Sequence, residues 1–181
     1  MSEEEIIDEC GRLRFRLERS IRYCKTIAAN WATLALLVQM ANLIGIGLAF
    51  AAIVGQGGAI SAFAALSICL TSVASELILR PTKRIERQME FVYEYRALLN
   101  KLPLSNGDAI EEEIVKINQD RHTIDDKGGK VIPCLSVRCH NEVCLAFGRQ
   151  ESMHRLNFIQ ATLGQFCRFV GFSEKEEPTR P

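Results

Sequence analysis

The sequence reads TIAANWATLALLVQMANLIGIGLAFAAIVGQGGAISAFAALSICLTSVAS from Thr26 to Ser75, without a single Asp, Glu, Lys or Arg. Roughly 20 apolar residues are enough for one helix to cross the hydrocarbon core of a bilayer, so this run is long enough for two crossings. Glycines at positions 55, 57 and 58 interrupt the run, and glycine permits the backbone reversal of a tight hairpin. The sequence therefore predicts a hairpin of two membrane helices, over about residues 31–54 and 59–79.

Basic residues flank this run on both outer sides, whereas the loop between the two predicted helices carries no charge. Because cytoplasmic loops are enriched in Lys and Arg, both termini are predicted to be cytoplasmic. The basic residues nearest to the bilayer are expected at its surface, where anionic headgroups lie; they are Arg19, Arg22, Lys25, Arg80, Lys83 and Arg84. The start of the chain is acidic and polar, unlike a cleavable secretion signal.

Helical periodicity continues on both sides of the run. The first 25 residues predict an amphipathic helix with Leu13, Leu17 and Ile21 on its apolar face. After the hairpin, residues 82–102 predict a helix with an apolar seam that repeats every seven residues, made of Ile85, Val92 and Leu99 with Tyr95 and Leu102 on an adjacent line. Such a seam is typical of helix packing, and we expect it to be an interface between copies of the chain.

Further helices are predicted downstream. A loop at 103–107 precedes a short helix, for which Asp108 and Glu111 resemble a capping box. Residues 121–133 are polar and predict a loop, residues 134–147 predict a helix that Gly148 ends, and residues 151–170 predict the last helix. The fold class is therefore all-α. The predicted parts are a cytosolic amphipathic helix (1–30), the hairpin (31–80), a cytosolic helical region (81–172) and a disordered charged tail (173–181).

One cluster of residues has metal-ligand chemistry, namely Cys134, Cys139, His140 and Cys144. Thiolates and imidazoles suit zinc, but neighbouring side chains on a helix point about 100° apart, so these residues converge poorly. Free thiols, buried in a reducing cytosol, are the favoured interpretation. None of the three histidines lies in a nucleophile motif, and the sequence has no phosphate-binding glycine loop. We therefore expect no enzyme activity, no cofactor and no direct nucleic-acid binding.

Several polar residues fall inside the predicted membrane helices. Gln39 and Asn42 share one face of the first helix, and Ser67, Thr71 and Ser75 share one face of the second. Polar groups in lipid need partners, so these faces should contact protein or water. They either pack against each other across the hairpin or line the lumen of an oligomer. Glu76 either pairs with Arg80 or lies at the mouth of such a pore.

The arrangement resembles the SLATT family of bacterial membrane proteins with two transmembrane helices. The resemblance covers about residues 10–148 and rests on the hairpin with its minimal glycine loop and on three sequence blocks. These are Leu79-Arg80-Pro81-Thr82-Lys83, the aromatic segment Met89-Glu90-Phe91-Val92-Tyr93-Glu94-Tyr95-Arg96-Ala97-Leu98-Leu99, and Cys139-His140-Asn141-Glu142 with Phe147-Gly148.

The resemblance implies an oligomeric, pore-forming effector of the bacterial inner membrane that acts in abortive infection, an antiviral defence. Members of this family are found beside nucleotide-signalling systems, but this chain carries no fused nucleotide sensor. A separate sensor or nucleotide-signalling protein is therefore the implied partner, beside the lipid bilayer and further copies of the chain. Two alternatives remain: a membrane anchor or scaffold that recruits a cytosolic partner, and a phage-encoded exclusion protein.

Overall fold

The computed structural model describes residues 3–54, 63, 66–68, 70, 73, 80–102, 110–128, 131–158 and 160, and no strand occurs among them. The continuous elements among the described residues are the α-helices α1 (Glu3–Val54), α2 (Pro81–Lys101), α3 (Ile110–Gly128) and α4 (Pro133–Ala146), and a 3₁₀ helix at Gln150–Ser152. Residues 63, 66–68, 70 and 73 are also helical. The prediction of an all-α fold is confirmed for these residues. The predicted loops at 55–58 and 103–107, the cap at Asp108 and the tail at 173–181 lie outside them.

Helix α1 is one unbroken helix of 52 residues, although the sequence suggested an amphipathic helix and a separate membrane helix. Residues 26–30, between the two predicted helices, include neither Gly nor Pro, so no residue there interrupts the helix. Contacts divide the chain into two compact units, here called the terminal unit (Met1–Lys25 and Glu90–Pro181) and the apolar unit (Thr26–Met89).

The terminal unit has a hydrophobic core to which three helices contribute. Most of the buried residues on each helix recur at steps of three and four, as expected for one face of an α-helix. The core consists of Leu13, Leu17, Ile21 and Cys24 from α1, Phe91, Val92, Tyr95 and Leu98 from α2, and Ile110, Ile114, Ile117 and Ile124 from α3. Helix α4 adds further buried residues, namely Cys134, Leu135, Cys139, Val143 and Cys144.

Most of the seven-residue seam of α2 packs in this core within a single chain, and its use as a contact between copies stays a prediction. Val92 is only 1% exposed and Tyr95 4% exposed within a single chain. Leu99 and Leu102 are partly buried and pack against the same core. The fifth seam residue, Ile85, is half-buried and belongs to the apolar unit. An apolar stripe has the same period whether its partner is another copy or the same chain, and here most of the stripe is covered by its own chain.

Helix α3 extends to Gly128, so the loop predicted from residue 121 is wrong over most of its length. The apolar face continues through Arg121, which is buried, to the buried Ile124. Arg121 is tolerated there because its guanidinium lies 3.3 Å from a carboxylate oxygen of Asp125 and donates to the side-chain oxygen of Asn118 at 3.3 Å. With these partners, the charged Arg121 can occupy a buried position on the same face as the apolar residues of α3.

Helix α4 and its stop at Gly148 are confirmed. Gly148 has φ of +69°, the left-handed conformation that glycine adopts without steric cost. Its N–H donates to the Leu145 carbonyl at 3.2 Å, and the next N–H, of Arg149, donates to the Cys144 carbonyl at 2.8 Å. These two bonds make a Schellman motif, which satisfies carbonyls at the end of the helix.

The helix predicted from residue 151 begins later. After the 3₁₀ helix, residues 153–157 are not helical, and the described residues 158 and 160 are. The side chain of Asn141 accepts from the backbone N–H of His154 at 2.9 Å and donates to its carbonyl at 2.7 Å. These bonds occupy both backbone groups that a helix would need. The N–H of Asn157 then donates to the Gln160 side chain at 3.0 Å, half of a capping box at the new start.

Candidate functional site

The apolar surface of α1 is the first candidate site. Large apolar side chains are exposed along it, for example Leu36 at 57%, Leu43 at 68% and Phe50 at 67%. The others between them are Leu37, Met40, Ile44, Ile46 and Leu48. Water-soluble monomers rarely expose apolar patches larger than a few hundred Å². Among the described residues, α1 is the one helix that is long and apolar enough to cross a membrane.

The second apolar segment has the same character where the structure describes it. Phe63, Leu66, Leu70 and Val73 are exposed and helical. Their spacing of three and four residues places them along one side of a helix. They have the surface that a second membrane helix needs.

Three of the predicted polar residues of the membrane helices, Gln39, Asn42 and Ser67, lie among the described residues. Gln39 is exposed and Asn42 is half-buried. The Ser67 hydroxyl donates to the carbonyl of Phe63, one turn earlier, at 2.9 Å. The hydroxyl proton is therefore satisfied within its own helix. Thr71, Ser75 and Glu76 lie outside the described residues, so hairpin packing and lumen lining both stay open.

An aromatic and basic cluster lies at the edge of the apolar unit. The guanidinium carbon of Arg84 is 4.4 Å from the ring centroid of Trp31, a cation–π geometry. The helix that carries Arg84 begins with Pro81, whose missing N–H costs nothing in the first turn. Arg80 precedes it with φ of +43°, and its carbonyl accepts the N–H of Arg84 at 3.2 Å. Lys83 is exposed in the same turn.

The basic residues before the apolar run have different environments. Lys25 is exposed, whereas Arg19 and Arg22 are half-buried. The guanidinium of Arg22 donates to the backbone carbonyl of Glu142 in α4 at 3.2 Å. Arg22 thus links α1 to α4 within the terminal unit. The sequence predicted a position at the membrane surface for Arg22 but not this contact.

In the cysteine and histidine cluster of α4, the three cysteines are buried and His140 is half-buried. Cys134, Cys139 and Cys144 are buried free thiols. The Nε2 atom of His140 lies 3.3 Å from the Cys144 sulfur and 3.1 Å from the Ser152 carbonyl oxygen. Burial lowers the pKa of His140 and raises the pKa of Cys144. The pair is therefore a neutral imidazole beside a thiol, unlike the ion pair of a cysteine nucleophile. No group of three or more possible metal ligands occurs in the part of the chain that is described.

A buried polar network links α2 to α3, and sequence reasoning missed it. The Tyr95 hydroxyl donates to Asp125, which also pairs with Arg121. Burial raises the pKa of Tyr95, and it raises the pKa of the nearby Cys24 to about 12. Tyr95, Asp125 and Arg121 are bonded to one another between two helices of the core, which gives the network a structural role. The sequence signal that could have revealed it is the helical spacing of Ile117, Arg121 and Ile124, which places Arg121 on the buried face of α3.

Comparison with known proteins adds no relative. No family model matches the chain, and neither a curated protein nor a solved structure is similar to it. The resemblance to the SLATT family therefore rests on the sequence blocks quoted above, and the site is interpreted from its own residues.

Proposed function

We propose that the chain is a multi-pass protein of the bacterial inner membrane whose oligomer permeabilises or depolarises that membrane, in anti-phage defence by abortive infection. The observation that carries the membrane location is the exposed apolar surface of α1 from Leu36 to Phe50. Complete burial of one large apolar side chain contributes about 1.5–3 kcal/mol. Eight half-exposed side chains on α1 would together gain on the order of 10 kcal/mol in lipid.

The distribution of charge supports the hairpin and its orientation. The run from Thr26 to Ser75 has no acidic or basic side chain, and basic residues stand on both outer sides. Two helices with a short outer loop would leave both termini in the cytoplasm. A reporter that is active only in the cytoplasm should work at either terminus and fail at Gln56. Activity at Gln56 would contradict this orientation.

The permeabilising activity is favoured by the amide pair and by the resemblance. Gln39 and Asn42 are polar positions within an otherwise apolar helix, and amides could solvate ions or water in an oligomeric lumen. The resemblance further implies that a separate sensor or nucleotide-signalling protein provides the trigger. The terminal unit, with its exposed charged surface, is where such a protein would bind.

One observation favours a second function, a membrane scaffold. The terminal unit has a packed core from three helices and further buried residues on α4, which a hairpin does not need for insertion. A scaffold would use this unit to recruit a cytosolic partner and would leave the membrane intact. The two functions differ in their effect on membrane potential.

The deciding experiment measures membrane potential in cells that express the parent or the double variant Gln39→Leu with Asn42→Leu. Leucine favours insertion, so the amount of protein in the membrane should be unchanged or higher. A lumen lined by leucine would dewet and close, so depolarisation should be lost. The matched control is Thr33→Val, because the Thr33 hydroxyl already donates to the Ala29 carbonyl at 3.0 Å.

Three results are distinguishable at matched protein levels. Depolarisation by the parent and by Thr33→Val, but not by the double leucine variant, supports the lumen. Equal depolarisation by all three forms contradicts it. If the parent causes no depolarisation under triggering conditions, the scaffold is the better function.

A further inference from the structure

The contact between Trp31 and Arg84 joins two parts of the apolar unit that are distant in sequence. Trp31 lies on α1 near the start of the charge-free run, and Arg84 lies in the first turn of α2 after it. Tryptophan favours the headgroup layer of a bilayer, since its ring is apolar and its N–H is polar. A guanidinium held 4.4 Å from the centroid of this ring is therefore held at the same depth.

A cation–π contact does not use the N–H groups of a guanidinium as hydrogen-bond donors to oxygen. Arginine binds an aromatic ring with its flat face, while its N–H groups point outward in the plane of the group. This planar fork matches two oxygens of a phosphate. Arg84 is exposed, so its N–H edge can reach a ligand from outside the protein.

The charge around Arg84 favours an anion. The segment from Arg80 to Arg87 holds four basic residues and one acidic residue, Glu86. At 100° per residue, Lys83, Arg84 and Arg87 fall within one third of the helix circumference, opposite Ile85. Lys83 and Arg87 are also exposed. The result is a basic face directly beside an aromatic ring and an apolar segment.

We propose that Trp31 and Arg84, with Lys83 and Arg87, form a binding site for the phosphate of an anionic phospholipid headgroup. The inference rests on the membrane location in the proposed function and is independent of permeabilisation. A lipid is the occupant because the apolar surface of α1 adjoins the site, so the acyl chains have somewhere to lie. The site would anchor the start of α2 to the bilayer surface.

The single tryptophan of the chain makes the site directly observable, because all tryptophan fluorescence comes from Trp31. The full-length protein is reconstituted in phosphatidylcholine nanodiscs with increasing fractions of phosphatidylglycerol. We expect a saturable change in Trp31 fluorescence. Arg84→Gln should weaken the apparent affinity for phosphatidylglycerol about five- to tenfold, and Arg84→Lys should weaken it less. The control is Arg96→Gln, an exposed arginine on the same helix, which should leave the affinity unchanged.

Two further measurements separate the possible failures. Brominated phosphatidylcholine in neutral nanodiscs should quench Trp31; absence of quenching would contradict the membrane location itself. Inorganic phosphate added to neutral nanodiscs should have no effect, and an equal response to it would identify a free-phosphate site instead of a lipid site. The amount of phosphatidylglycerol that copurifies in detergent should also fall in Arg84→Gln. If quenching occurs but the phosphatidylglycerol response is absent, or is unchanged in Arg84→Gln, the proposed site is wrong.

Discussion

Replacement of Leu135 by alanine should destabilise the terminal unit by about 3 kcal/mol. The Leu135 side chain, on α4, is 0% exposed. The change removes three carbon atoms, and each buried methylene contributes about 0.8 kcal/mol, which gives about 2.4 kcal/mol. The unfilled cavity adds to this loss, as it does in other cores. The higher helix propensity of alanine offsets only about 0.2 kcal/mol of this destabilisation.

Leu145 provides a matched control on the same helix. It is 53% exposed, so Leu145→Ala makes the same chemical change with much less loss of buried surface. We expect a destabilisation below about 1 kcal/mol. Both positions lie within α4, so the difference in helix propensity largely cancels between the two variants.

The rate of alkylation of Cys139 reports the opening of this unit. Its side chain is 0% exposed, and a buried thiol reacts only when the structure around it opens. The full-length protein in detergent micelles is treated with iodoacetamide, and the peptide with Cys139 is followed by mass spectrometry. Because 1.4 kcal/mol corresponds to a factor of ten, Leu135→Ala should accelerate labelling about 100-fold and Leu145→Ala less than about fivefold. Similar rates in the two variants would show that α4 is not packed as described.

Three further predictions concern the terminal unit, each measured by urea unfolding of the full-length protein. Gly11→Ala should stabilise α1 by about 0.5–1 kcal/mol, whereas Gly148→Ala should destabilise the folded terminal unit by about 1–2 kcal/mol. An added Cβ atom meets no neighbour within 4 Å at either position, but of the two glycines only Gly148 has a positive φ. Tyr95→Phe should lower the free energy of unfolding by about 1.5–3 kcal/mol, because the Asp125 side chain loses the hydroxyl that donates to it. An unchanged free energy of unfolding would show that this hydrogen bond does not stabilise the fold. The pKa of Cys24 is raised from 9.0 to about 12, so the folded state keeps a proton that the unfolded state loses. The free energy of unfolding should therefore be highest below pH 9 and fall as the pH rises from 9 to 12, with a smaller slope in Cys24→Ala.

The elements that sequence reasoning located well are those with local signals. The apolar period of α2, the proline at its start and the glycine after α4 all act on the few residues around them. The charge-free run likewise identified the apolar unit directly, because charge is a property of each residue and needs no partner. Local chemistry was sufficient for these features.

The errors have a common origin in contacts that the local pattern does not reveal. Arg121 interrupts an apolar period, and only its bonds to Asn118 and Asp125 explain why it is buried. The last helix is delayed because Asn141 binds the backbone of His154, 13 residues later. The seam of α2 has the period of a contact between copies, but most of it packs in a core shared with α1 and α3 of the same chain. The pairing of Trp31 with Arg84 could not be predicted for the same reason.

Two hydrogen bonds of the terminal unit have a consequence for protein synthesis. The Ile132 N–H donates to the Tyr23 hydroxyl across 109 residues, and Arg22 donates to the Glu142 carbonyl across 120 residues. Ribosomes add about 5–20 residues per second, so the beginning of α1 waits roughly 6–24 s for its last partner. Until α2 and α3 have been synthesised, Leu13 and Leu17 also lack the helices that share their core. Nascent chains shorter than residue 142 are therefore the form most exposed to aggregation and proteases, and chaperones that hold apolar helices should act on this protein mainly while it is being translated.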